Sequence, residues 1–176
     1  MMPPGKDDLG LNEAVHARDF AAARELFQEY AAQLGIDLCF QGFAAELDNL
    51  GTMYAPPSGC LILARRGDHP LGCGAIRPLS GGACEMKRLY LRAEARGTGL
   101  GRALAERLVA RARSLGYASM YLDTLAHMRP ARRLYAALGF RETAPYYDNP
   151  IPGAVYMRLD LSGADQCDCA SGSTFE

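Results

Sequence analysis

Three glycines alternate with other residues in Arg96-Gly97-Thr98-Gly99-Leu100-Gly101, between an apolar strand-like run and the most regular amphipathic segment of the chain. Glycine accepts positive φ and leaves room for a ligand to approach the backbone. Successive N–H groups can then face one concavity. Leu100, Leu104, Leu108 and Ala112 share one face of the helix expected over 100–115, which Gly116 ends. The N-terminus of that helix adds partial positive charge. The loop is therefore expected to hold an anion, most often a phosphate, with Arg96 and Arg102 flanking it. The competing reading is a tight turn with no ligand.

The segments around the loop predict a mixed α/β chain with one sheet. Residues 19–34 carry Phe20, Phe27, Tyr30, Ala31 and Leu34 at near-helical spacing. A second helix is expected over 40–50. Strands are expected over 60–64, 71–79 and 83–91, with turns at Gly67-Asp68-His69-Pro70 and Ser80-Gly81-Gly82. After the loop helix come a strand over 118–125, a helix over 130–138, and strands over 140–147 and 154–161. Helices, a meander, then alternating strands and helices describe one domain over 1–161. Residues 1–10 are expected to be flexible and 162–176, which lack periodicity, to form a disordered tail.

At 176 residues and 49% apolar content the chain can build a core without disulfides or metal. It has no apolar run of membrane-spanning length. The N-terminus shows no signal-peptide pattern. Cys39, Cys60, Cys73 and Cys84 sit in apolar runs and are expected to be buried thiols. Cys167-Asp168-Cys169, without a nearby His, is a poor metal site, and no metal is expected. These features predict a reducing, cytoplasmic setting. Residues 1–50 carry a net charge of −6 and residues 85–141 a net +8. The basic region suits an anionic ligand, and the net charge of −1 gives no reason to expect nucleic acid.

The glycine spacing excludes two phosphate motifs. A P-loop needs Gly-Lys-Ser/Thr, which is absent. A dinucleotide fingerprint needs a small residue at Arg102 or Leu104, so a dinucleotide-binding oxidoreductase is disfavoured, although Asp123 lies at the expected distance. The loop resembles instead the Q/R-x-x-G-x-G/A motif of the GNAT acyl-CoA N-acyltransferases. Glu85-Met-Lys-Arg-Leu-Tyr-Leu91 is similar to the strand before that motif. Ala131-Arg-Arg-Leu-Tyr135-Ala-Ala-Leu-Gly139-Phe140 is similar to the family's later helix with its closing Gly-Phe. The resemblance runs from about Cys60 to Leu161, and residues 16–50 fit the two variable opening helices. One departure is Met128, where many relatives carry Asn.

The resemblance implies a GNAT-like mixed, mostly antiparallel sheet with flanking helices and a splayed strand pair for CoA. It implies that Arg96, Gly97, Thr98, Gly99, Leu100, Gly101 and Arg102 hold the pyrophosphate of acetyl-CoA. Leu89, Tyr90 and Leu91 would line the pantetheine arm, Leu89 and Leu91 by backbone pairing. Tyr135 matches the position that often protonates the leaving sulfur, and also contacts the cofactor. Glu85 is the candidate base, directly or through water. Strand alternation would place Glu85, Lys87, Leu89 and Leu91 on one face and Met86, Arg88 and Tyr90 on the other. The structural alternatives are a core role for Tyr135 and pairing of Glu85 with Lys87 or Arg88.

The implied activity is acetylation of a primary amine on a small molecule or a protein, with substrate choice set by the opening helices and by Tyr146-Tyr147-Asp148-Asn149-Pro150. His127 is expected at the cleft mouth and His69 at the surface. A non-catalytic CoA-binding sensor stays open beside the enzyme, and a homodimer stays open as an assembly.

Overall fold

The structure, a computed structural model, describes residues 9–163. The expected disordered tail, apart from a turn at Ser162 and Gly163, and the Cys167-Asp168-Cys169 segment lie outside them. A seven-stranded sheet carries the fold. Its strands are β1 (Leu9–Glu13), β2 (Cys60–Arg66), β3 (His69–Pro78), β4 (Ala83–Leu91), β5 (Ser119–Leu125), β6 (Arg141–Thr143) and β7 (Ala154–Asp160). Their order is β1-β2-β3-β4-β5-β7-β6. Every pairing is antiparallel except β4 with β5.

Helices cover both faces. Helix α1 (Ala17–Leu34), with the short α2 (Phe43–Asp48) and α3 (Leu50–Met53), packs on one side. There Leu26, Phe27 and Tyr54 meet Leu61, Leu63 and Ala75. Helix α4 (Leu100–Ser114) and α5 (Arg129–Ala137) pack on the other. There Leu104, Leu108 and Ala112 meet Ile62, Ile76, Met86 and Met120. Strand β2 is buried on both faces, which is why its sequence reads as an unbroken apolar run.

Several expectations are corrected. Leu9 and Gly10, expected to be flexible, begin edge strand β1, which pairs with β2 from Leu9↔Arg66 to Glu13↔Ile62. The single helix expected over 40–50 is broken into a 3-10 turn at Cys39–Gln41, α2 and α3. Gly42 (φ 69°) and Asn49 (φ −125°) leave the helical region and stop propagation. The strand expected over 140–147 is only Arg141–Thr143. Pro145 restricts Ala144 and offers no N–H, and the side chains beyond it turn toward the sheet's centre. Cys39 is exposed on the 3-10 turn, whereas Cys60, Cys73 and Cys84 are buried. Burial pushes the Cys60 thiol up to about 11 and that of Cys84 up to about 12.

Candidate active site

The sheet is split at its centre. Strands β4 and β5 pair only at Ala83↔Ser119, Cys84↔Met120 and Glu85↔Tyr121. Past Glu85 and Tyr121 the two strands part. The resulting V leaves the β5-facing backbone edge of Lys87–Leu91 without a strand partner. The splay that the resemblance implied is therefore present.

A bulge in β4 accompanies the opening. Between Cys73↔Tyr90 and Ala75↔Lys87, two residues of β4, Arg88 and Leu89, stand against one residue of β3. Arg88 has φ 58°, a conformation rare for a side-chain-bearing residue. The bulge shifts the strand's phase, so the expected alternation fails. Leu89 and Leu91 join Met86 against α4, while Tyr90 packs on the α1 side and Arg88 reaches Glu46 of α2. Glu85 and Lys87 do not share the face of Leu89 and Leu91.

A buried ion pair holds the bulge. Arg88 donates from Nε and a terminal nitrogen to the two oxygens of Glu46, at 3.0 and 2.6 Å. Tyr54 donates its hydroxyl to the same carboxylate at 2.6 Å. Burial alone would push Glu46 up, but the Arg88 hydrogen bonds and charge outweigh it and leave its pKa lowered. A lowered carboxylate pKa stabilises the fold above its unfolded value near 4.5. That contribution is lost as pH falls through the lower folded value. We therefore expect thermal stability to drop as pH falls below about 4.5, and the drop to be shallower in Glu46→Gln. Calorimetric melting of both proteins from pH 6 to pH 3 checks this, and parallel curves would remove Glu46 as a cause.

The glycine loop lies at the mouth of the V. A 3-10 turn at Ala93–Ala95 leads from β4 into it, and α4 starts at Leu100. Gly97 has φ 73° and Gly99 φ 83°, and a Cβ built on either would meet nothing within 4 Å. The loop is therefore open on its outer side. Among the described residues, no protein acceptor is found for the backbone N–H groups of Gly97 through Arg102, and the first helix-closing bond is from Ala103 to the Gly99 carbonyl. Thr98 donates its hydroxyl to the Ala95 carbonyl, and Gly101 lies against Leu91. The two flanking arginines are not free. Arg96 donates to the Leu91 carbonyl and to Gln33, and Arg102 pairs with Glu106 along the helix surface.

A cavity of about 420 Å³ occupies the mouth of the V. Leu89, Tyr90, Leu91 and Arg96 line one side, and His127, Met128, Pro130 and Ala131 the opposite side. Tyr30 from α1 closes it, a residue the sequence offered only as part of an apolar helix face. His127 thus sits at the cleft mouth, and His69 pairs with Glu94 on the surface. Tyr135 is buried with its ring against Phe140. Its hydroxyl has no hydrogen-bond partner among the described residues and lies within electrostatic reach of Tyr30 and Asp123. Burial, then these neighbours, push its pKa up, so it carries its proton.

On the α1 side, a polar cluster stands at the apex of the V. Glu85 is fully buried and accepts from Arg77 Nε at 2.6 Å and from the Tyr146 hydroxyl at 2.7 Å. Asp123 on β5 accepts from the Tyr147 hydroxyl at 2.9 Å and from Asn149 Nδ2 at 3.3 Å. The segment after Pro145, expected to select substrate, therefore places its tyrosines on the two carboxylates beside the split. Arg77, Gln41 and Asp123 were not offered as acceptor-site residues by the sequence, because no motif marks them. The structure places Glu85 among the polar groups on the α1 side of the sheet and Tyr135 in the core under α4 and α5, and no contact joins them.

A split parallel pair, a bulged strand and an open N–H loop coincide in one place. The sequence matches the acetyltransferase (GNAT) family over residues 20–140. The chain belongs to the GNAT acetyltransferase family. An N-acetyltransferase of Schizosaccharomyces pombe is 45% identical over 165 residues, covering 92% of this chain and 99% of its own. A Klebsiella pneumoniae protein described as an acyl-CoA N-acyltransferase superposes with a TM-score of 0.65 at 26% identity, over 87% of this chain and 97% of its own. A Salmonella typhimurium acetyltransferase solved with acetyl-CoA shares the fold at a TM-score of 0.62 and 21% identity, over 92% and 98%. The mixed, mostly antiparallel sheet is the GNAT fold, and the GNAT chain is an acyltransferase.

Proposed function

We propose that this GNAT chain transfers the acetyl group of acetyl-CoA to a primary amine by direct attack. The observation that carries the reading is the strand split beside a row of N–H groups without a partner among the described residues. A thioester on an extended arm with a pyrophosphate at its far end fits that pairing of features. The Salmonella relative, solved with acetyl-CoA, supports the choice of acyl donor.

In this reading Gly97 to Arg102 receive the pyrophosphate on their backbone N–H groups. The backbone edge of Leu89 and the Leu91 N–H pair with the pantetheine amides, the Leu91 carbonyl being already held by Arg96. Arg96, already tied to Leu91 and Gln33, stiffens the loop and adds charge rather than gripping the phosphate end-on. Met128 supplies an apolar wall where many relatives place an amide.

An alkylamine has a pKa of about 10.4 and an α-amine about 7.7–8, so attack at neutral pH needs a proton acceptor. Both oxygens of Glu85 are already engaged, so it acts through Tyr146. The amine proton passes to the Tyr146 oxygen as the Tyr146 proton moves onto Glu85. This transfer accompanies C–N bond formation, when the attacking nitrogen gains positive charge and its proton becomes acidic. The departing thiolate takes the Tyr135 proton.

Calorimetric titration with acetyl-CoA, with NADH as comparison, tests the reading. Micromolar acetyl-CoA affinity and no NADH heat are expected. NADH binding alone would restore the oxidoreductase. Acetyl-CoA binding with no turnover of any amine would restore the non-catalytic sensor.

A further inference from the structure

Two opposite charges face the apex of the V without pairing. Lys87 stands two residues past Glu85 on β4, and Asp123 two residues past Tyr121 on β5. Because Glu85 and Tyr121 form the last cross-strand pair, Lys87 and Asp123 are the first residues on that face, one on each arm, after the strands part. No ion pair joins them. A chain of hydrogen bonds links them around the rim instead. Lys87 Nζ reaches Gln41 Oε1, Gln41 Nε2 donates to the Tyr147 oxygen, and Tyr147 donates to Asp123.

Lys87 is poorly satisfied for a cation in its position. Its side chain is 4% exposed. Its acceptors are Gln41 Oε1 at 3.4 Å and Glu85 Oε1 at 3.9 Å. A charge-assisted N–H···O bond runs about 2.7–2.9 Å, so neither contact is a full one. Burying an ammonium with no close acceptor is costly. Arg77 beside it spends Nε on Glu85, and its two terminal nitrogens have no partner among the described residues. Two cations, Lys87 on β4 and Arg77 on β3, thus share the single charge of Glu85, and burial holds the Lys87 pKa below its usual value for want of a closer carboxylate. On the β5 arm, the Asp123 carboxylate meets only neutral donors among the described residues, from Tyr147 and Asn149.

We infer that the acceptor is a free α-amino acid, its carboxylate held by Lys87 and Arg77 and its amine brought in beside Asp123. The inference rests on the acetyltransferase reading and names its substrate class. A zwitterion carries both charges one carbon apart, which is the pairing the two arms offer. A polyamine would meet two uncompensated cations. A protein N-terminus would bring an amide where Lys87 and Arg77 need a carboxylate. Free carboxylate in that place gives Lys87 the close acceptor it lacks.

The test is a thiol-release assay on the full chain with acetyl-CoA and the twenty proteinogenic L-amino acids, each run beside its carboxamide and its decarboxylated amine. At least one amino acid should exceed its carboxamide by 100-fold or more in kcat/KM. Lys87→Met should collapse that ratio at least tenfold through KM, and Arg77→Gln, at a partly exposed site, should do so independently. Acetyl-CoA affinity, measured on each variant, reports whether the fold survives. Carboxamides or plain amines acetylated as well as amino acids would overturn the acceptor class and leave the acetyltransferase standing. A ratio unmoved in folded variants would overturn the role of Lys87 and Arg77. Loss of acetyl-CoA binding in the unaltered chain, or binding with no turnover at all, would remove the parent reading as well.

Discussion

Replacing Gly99 by glutamate is expected to abolish acetyl-CoA binding while the chain stays folded. Gly99 sits at φ 83°, so any side chain there costs about 1–2 kcal/mol of backbone strain. Nothing lies within 4 Å of the Cβ position, so no clash is added to the strain. The melting temperature should fall by only a few degrees. The carboxylate would stand in the open concavity and meet the N–H groups that have no acceptor among the described residues between Gly97 and Arg102. It would also repel the pyrophosphate across a short distance. A loss of at least 100-fold in Kd, about 2.7 kcal/mol, is the expected reading from calorimetry. Gly99→Ala carries the same strain without the charge and should weaken binding far less. Micromolar affinity retained in Gly99→Glu would mean that phosphate does not use this loop.

Different parts of this architecture were legible in the sequence to different degrees, and the reasons are physical. The glycine loop, α4 and the central strands are written in local signals, namely glycine spacing, an apolar helix face and apolar runs bounded by turns. The V between β4 and β5 is not local. It depends on where two strands 30 or more residues apart stop pairing, and only the resemblance to a family implied it. The bulge at Arg88 left even less trace. Arginine carries no turn signal, and the carboxylate that its side chain meets at the bulge, Glu46, is far away in the chain. That one residue reverses which side chains of β4 meet the α1 layer. Simple alternation therefore put Lys87 with Leu89 and concealed the acceptor-side charges. Edge strand β1 was missed because Leu9–Glu13 is short and only half apolar, and pairing with β2 decides its state. The tyrosines after Pro145 could be flagged as a cluster. Their pairing with Glu85 and Asp123 needed the sheet to be assembled first.

Tyr135→Phe should lower turnover by roughly 10²-fold with little change in acetyl-CoA affinity. The Tyr135 hydroxyl makes no hydrogen bond to the described protein, so its removal leaves no protein group unsatisfied and the ring still packs on Phe140. Stability should change by less than about 0.5 kcal/mol. Its raised pKa keeps the proton in place across the working range, so the group can only donate. A thiolate whose conjugate acid has a pKa of about 8.5 gains most from a donor while the C–S bond breaks, when charge is building on sulfur. A 100-fold loss corresponds to about 2.7 kcal/mol in the transition state. It should appear in kcat, because the ground-state thioester carries no such charge. Tyr30, whose pKa burial also raises, lies near the same hydroxyl and gives the matched control. Tyr30→Phe should cost much less if Tyr135 is the donor. Equal losses in the two variants would divide the role between them, and full turnover in Tyr135→Phe would move the proton donor elsewhere in the cleft.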